Sequence, residues 1–137
     1  MQGGRAKAYR PLPDADRRSA FAAAIAAYER GDYFEAHELL EPAWMGTDDE
    51  AERALDQGLI KLAAAFVHGV RGNPLGIAKN LVGARERLVE AVATDAEAAS
   101  GLELTPLIAA IDDRLERLAR NPDDPSIDAP ALPRRHR

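Results

Sequence analysis

The chain has 137 residues and a formal net charge of −5, which is length for one compact domain and short of two. It contains no cysteine, which excludes a disulfide scaffold, a cysteine nucleophile and a cysteine-based zinc finger. Alanine supplies 28 residues against 14 for valine, isoleucine and threonine together, a balance that predicts an all-α fold.

Residues 1–15 read as a flexible N-terminal segment, 16–120 as a single helical domain, and 121–137 as an irregular tail holding Pro122, Pro125, Pro130 and Pro133. The first predicted helix runs from about Asp16 to Arg30 with Phe21, Ile25 and Tyr28 on one stripe, and Gly31 stops it. Asp32 caps the second, with Glu35 completing a capping box. That helix reaches about Trp44, and Pro42 is expected to kink or shorten its last turn. The third is the longest, from about Asp49 to Arg71, with Leu55, Leu59, Leu62, Phe66 and Val70 on its apolar face. Asn73 caps the fourth, Pro74 takes its first position, and the helix buries Ile77, Leu81, Ala84 and Leu88 on the way to Val92. Thr105 and Pro106 repeat the cap-then-proline start, and the fifth helix carries Ile108, Ile111, Leu115 and Leu118 before Asn121-Pro122 ends it.

A faint repeat underlies this order. The stretch from Phe21 to Asp32 aligns at an offset of 41 with Leu62 to Asn73, and both copies end in Arg-Gly before a capping residue. The expected architecture is a compact bundle of about five helices: two antiparallel αα-hairpins plus a C-terminal helix.

The charge is uneven. Arg5, Lys7, Arg10, Arg134, Arg135 and Arg137 are six of the 18 bases, which leaves 12 against 23 acids in the 11–130 body. A body that acidic repels phosphate backbones, which argues against nucleic acid as the partner. No apolar run is long enough to cross a membrane, and the polar N-terminus lacks the stretch of a signal peptide, so a cytoplasmic location is expected.

The second helix concentrates the unusual chemistry. At about 100° per residue, Tyr33, Phe34, His37, Glu41 and Trp44 share one face, with Glu38 at its border. An ionised carboxylate is costly to bury unpaired, so something must satisfy Glu41. In one reading His37 and Glu41 bond each other or an arginine, with Trp44 packed over them. In the other they ligate a divalent metal, with Glu38 as a further ligand or a general base. His37-Glu38 opens like the HExxH of metalloproteases, but Glu41 stands where the second histidine belongs. On the third helix Arg53, Gln57, Lys61, Ala64, His68 and Arg71 share a polar stripe, either a solvent face or a wall turned to the His37 helix. His136 falls in the tail and is left out of the site.

Gly31-Asp-Tyr-Phe-Glu-Ala-His37-Glu38-Leu-Leu-Glu41-Pro-Ala-Trp44, then Gln57-Gly-Leu-Ile-Lys-Leu-Ala, His68 and Gly72-Asn73-Pro74-Leu-Gly76, resembles the family catalogued as domain of unknown function 309. The resemblance covers roughly residues 17–92, and Pro42 departs from its pattern. It implies a small helical bundle labelled a metal-dependent hydrolase, with His37, Glu38, Glu41, Trp44, Gln57, His68 and Asn73 in the family pattern. Gly31-Asp-Tyr-x-x-Ala36 also resembles a tetratricopeptide repeat, but the 34-residue period lands on Ala65, inside a helix, which argues against an array.

Two functions follow. In the first, His37, Glu41 and His68 hold zinc, manganese or nickel and Glu38 activates the bound water of a hydrolase. In the second, a non-catalytic helical module binds a peptide, a protein partner or a small ligand in a groove lined by Tyr33, Phe34 and Trp44, with Gln57 and Asn73 in support.

Overall fold

The computed structural model describes residues 10–70, 72–94, 96 and 100–134. Arg5, Lys7, Arg71, Arg135, His136 and Arg137 lie outside the described residues. Five helices fill the described chain: α1 (Asp14–Glu29), α2 (Tyr33–Met45), α3 (Glu50–Val70), α4 (Pro74–Ala93) and α5 (Leu104–Arg120). The fold is all-α, as the alanine balance predicts. Among the described residues no helix is long and apolar enough to cross a membrane.

Each helix packs on the next in the chain, so short connections make antiparallel neighbours and contacts stay local. Both Arg-Gly junctions close in the same way. Gly31, at φ 83°, turns the chain so that the Asp32 amide donates to Ala27 O at 2.9 Å; Gly72, at φ 70°, lets the Asn73 amide donate to His68 O at 2.9 Å. The Asp32 carboxylate then accepts from the Glu35 amide, and Asn73 Oδ1 from the Gly76 amide, both at 3.2 Å. Every one of these positions matches its counterpart at an offset of 41, so the repeat read in the sequence is a repeat of helix-stop and helix-start chemistry. The Asp32 amide already bonds Ala27 O, so only the Asp32-to-Glu35 half of the expected capping box is in place.

α3 lies in the middle. No residue between 51 and 69 is exposed, so the polar stripe of Arg53, Gln57, Lys61, Ala64 and His68 is half-covered along its length. Its apolar face joins Leu55, Leu59, Leu62 and Phe66 to Ile25, Leu40, Leu81, Leu88 and Ile111 in one core.

Two expectations are corrected. α2 runs three residues past Pro42 to Met45, so proline does not shorten it. α5 begins at Leu104 rather than after a Thr105 cap. The reason is tertiary: Leu104 is fully buried, and the Glu103 amide donates to Pro133 O at 2.9 Å. Pro106 then falls in the first turn, where a missing N–H costs nothing.

Residues 121–134 form no helix, yet they dock. Tyr28 Oη donates to Pro130 O at 2.7 Å, Leu132 is 5 % exposed, and Leu102 forms an antiparallel bridge with Arg134. Arg114 reaches both the Asp128 carbonyl and carboxylate, and Arg117 bonds Ser126.

Candidate functional site

The two ends of α2 are anchored differently. At the start, Tyr33 sits edge-on to Tyr28, ring centroids 5.3 Å apart, and tilts against Phe66 of α3 at 5.8 Å. At the end, Arg53 of α3 stacks its guanidinium over Trp44 at 4.8 Å and donates from Nη1 to Trp44 O and Thr47 O. Arg53 thereby satisfies a free carbonyl in the last turn of α2, where a cation also complements the helix dipole. Trp44 Nε1 is buried without an acceptor. Tyr33 and Trp44 stand eleven residues apart on α2, while Phe34 is exposed and stacks on His37 with centroids 6.5 Å apart. The three aromatic side chains therefore face three different surroundings.

His37 is half-buried, and its Nδ1 lies 3.3 Å from Glu38 Oε2. Glu41 is half-buried one turn further on. His68, near the end of α3, turns to α4. Because Asn73 Oδ1 accepts from the Gly76 amide, its Nδ2 is left to donate to His68 Nδ1 at 3.2 Å, which puts the ring proton on Nε2. The ring packs so closely on α4 that a Cβ at Gly76 would lie 2.6 Å from it. Lys61 also runs to α4, its stem passing 2.8 Å from where a Cβ of Gly83 would be. Gln57 lies half-buried one turn before Lys61 on the same stripe.

The Tyr33–Phe66 and Trp44–Arg53 contacts fix the antiparallel register of α2 on α3. By that register His37 stands level with Lys61, and His68 lies roughly 10 Å further along the bundle at 1.5 Å per residue. The two imidazoles thus serve separate partners, Glu38 and Asn73. Among the described residues no group of three or more His, Cys, Asp or Glu side chains is placed to hold a metal ion. By this register His37 and Glu41 stand on α2 at a different level of the bundle from His68.

A different constellation occupies the far end of the bundle. A cleft of about 620 Å³ opens between α1, the first turns of α3 and the residues Thr94, Ala96 and Ser100. Phe21, Leu55 and Ala96 give it apolar wall, Arg17 and Glu52 bring charge, and Asp56 adds a carboxyl group. Arg17 is firmly held: Nε donates to Glu52 Oε2 at 2.8 Å, Nη1 to Leu12 O and Nη2 to Asp14 at 3.1 Å. Thr47 Oγ1 donates to the other Glu52 oxygen at 3.1 Å. Asp56 is the anomaly. It is 2 % exposed, and its Oδ2 is buried with no hydrogen-bond partner. Burial raises its pKa to about 8, the nearby Glu52 charge adds to the rise, and Arg17 and Arg53 oppose it. At neutral pH Asp56 is therefore a carboxylic acid, a buried donor facing a cleft.

The repeat junctions, the α2 cluster and the Gln57–His68–Asn73 positions together define one stretch of chain. Residues 21–80 match the family described as Domain of unknown function (DUF309). The resemblance read in the sequence holds over that stretch. Compared with curated proteins and with solved structures, the chain matches none.

The DUF309 segment includes α2, all of α3 and the start of α4, so His37, Glu41, His68 and Asn73 fall within it, as does Asp56. Sequence reasoning passed over Asp56. Its signal was present: Asp56 sits three residues before Leu59 and seven before Ala63, at the flank of the apolar face. An acid at such a position is solvated unless another element closes over it, and here Arg17 and Phe21 of α1 line the same cleft with Thr94, Ala96 and Ser100.

Proposed function

We propose that this DUF309 chain is a small-ligand-binding helical domain, its working site the cleft at the start of α3, where Asp56 receives the ammonium group of an amine-bearing ligand. This is the binding-module reading moved from the Tyr33–Phe34–Trp44 face of α2 to the cleft between α1 and the start of α3. One observation carries it: a buried carboxyl oxygen without a partner lines the cleft. Buried polar groups are almost always satisfied, and an exception at a cavity wall marks the place a ligand would fill. Sign of charge selects the ligand class. The cleft walls carry Asp14, Asp49 and Glu52 against Arg17 and Arg18; Arg17 pairs with Glu52 and Arg18 with Asp14, which leaves Asp49 as the unmatched charge beside the neutral Asp56. A cation is drawn there, and Phe21 and Leu55 would cover the apolar body of the ligand.

The ammonium would displace the Asp56 proton to the solvent, since an adjacent positive charge favours the carboxylate. Benzylamine and phenylacetate, matched in size and opposite in charge, are the probes. Calorimetry at pH 7 in buffers of different ionisation heat is expected to detect benzylamine binding with release of a proton. Asp56→Asn is expected to weaken it about tenfold or more, the worth of a charge-assisted hydrogen bond. Binding of phenylacetate instead, or unchanged benzylamine binding in the variant, overturns the proposal. Zn²⁺, Mn²⁺ and Ni²⁺ titrated into chelator-treated protein test the competing reading. Micromolar binding lost in His37→Ala would move the functional site to α2.

A further inference from the structure

Exposed apolar side chains are usually scattered singly. Here three of the four large hydrophobic side chains that remain exposed among the described residues stand on one helix. Leu75, Val82 and Val89 of α4 are 79, 46 and 42 % exposed. Each is seven residues from the next, nearly two turns, so they form a stripe roughly 21 Å long. The half-buried Ala78 extends the stripe between the first two. The other side of α4 is already committed to the core through Ile77, Leu81, Ala84, Leu88 and Ala91.

We infer that this stripe is a homodimer interface, with α4 lying antiparallel to α4 of a second copy about a two-fold axis through Val82. The sequence of the helix is self-complementary in that arrangement. Antiparallel pairing centred on Val82 sets Leu75 opposite Val89 of the second copy, and Val89 opposite its Leu75. The same register brings Lys79 beside Glu86 of the second copy, and Glu86 beside its Lys79. Both side chains are exposed and both follow the stripe by four residues, so two opposite-charge pairs flank one apolar seam. A parallel pairing instead sets the Lys79–Glu86 flank of one helix against the Ala78–Arg85 flank of the other, where Arg85 is already paired with Asp112. Arg85 does not intrude on the seam, because its Nε is drawn aside to Asp112 of α5 at 2.5 Å. The occupant that fits is therefore another copy of this chain.

Sedimentation equilibrium of the full chain tests this up to about 1 mM, the range in which small interfaces associate. The expected mass is twice 14.8 kDa. Val82→Glu is expected to give a monomer with an unchanged thermal melt, since Val82 is exposed within the protomer. Glu86→Lys is expected to weaken association at least tenfold, and Lys79→Glu combined with Glu86→Lys to restore it. A wild-type monomer at the highest concentration overturns the inference. So does a Val82→Glu protein that dimerises as before, or a charge-swapped double variant no better than the single one.

Discussion

Asp56 sets a pH dependence that can be worked out in advance. Its carboxyl titrates near the ordinary value of 3.8 when the chain is unfolded and at about 8 when folded. Between those limits the native state holds a proton that the unfolded state has released, so stability falls as pH rises from 4 to 8. The contribution is fully present below about pH 4 and gone above 8. Its slope approaches about 1.4 kcal/mol per pH unit in the middle of that window. Asp56→Asn, which cannot ionise, is expected to melt higher than the wild type at pH 7 and to flatten that part of the profile in urea titrations. An equal slope in both proteins would assign the pH dependence to other groups. The wild type keeps a residue that costs stability at neutral pH, as expected of a side chain retained for a ligand. This residue was legible only in part. Position on the helical wheel marked Asp56 as a flank, but its covering comes from residues more than thirty positions away on either side, which no local pattern contains. His37 and His68 were easier to find: their spacing gave the helix, and their partners, Glu38 and Asn73, lie one and five residues further along the chain.

The elements themselves were read well where a stop or start signal is local. Gly31 and Gly72 are such signals, and a Cβ built on either meets nothing within 4 Å. The cost of Gly31→Ala or Gly72→Ala is therefore backbone strain alone, about 1–2 kcal/mol at positive φ. Equilibrium unfolding is expected to give nearly the same loss at both sites, because the two junctions share their hydrogen bonds. A loss at only one would show that the 41-residue correspondence is not energetic. The start of α5 was misplaced for the converse reason. Thr105-Pro106 is a sound local cap, but burial of Leu104 and the bond from the Glu103 amide to Pro133 O outweigh it.

At the scale of the molecule, the bundle order followed from alanine content, helix lengths and short turns, but the last segment did not. Prolines predict irregular backbone correctly and say nothing of whether that backbone packs. Pro130 and Leu132 are buried, Tyr28 bonds a carbonyl 102 residues away, and burial pushes the Tyr28 phenol up so that it remains a donor. Truncation after Arg120 is expected to cost about 3 kcal/mol, from the Leu132 side chain and the orphaned Tyr28 hydroxyl. A lowered melting temperature with retained helical circular dichroism is the expected result, and an unchanged melt would make the docking energetically idle.

The Tyr28–Pro130 clasp also fixes the order of events at the ribosome. The hairpins from α1 to α4 are local and can form while translation continues, but the Tyr28 hydroxyl has no Pro130 carbonyl to donate to until residue 130 has left the exit tunnel. A nascent chain stalled short of that point would leave the Tyr28 hydroxyl without its Pro130 acceptor, so this clasp closes after the hairpins that precede it.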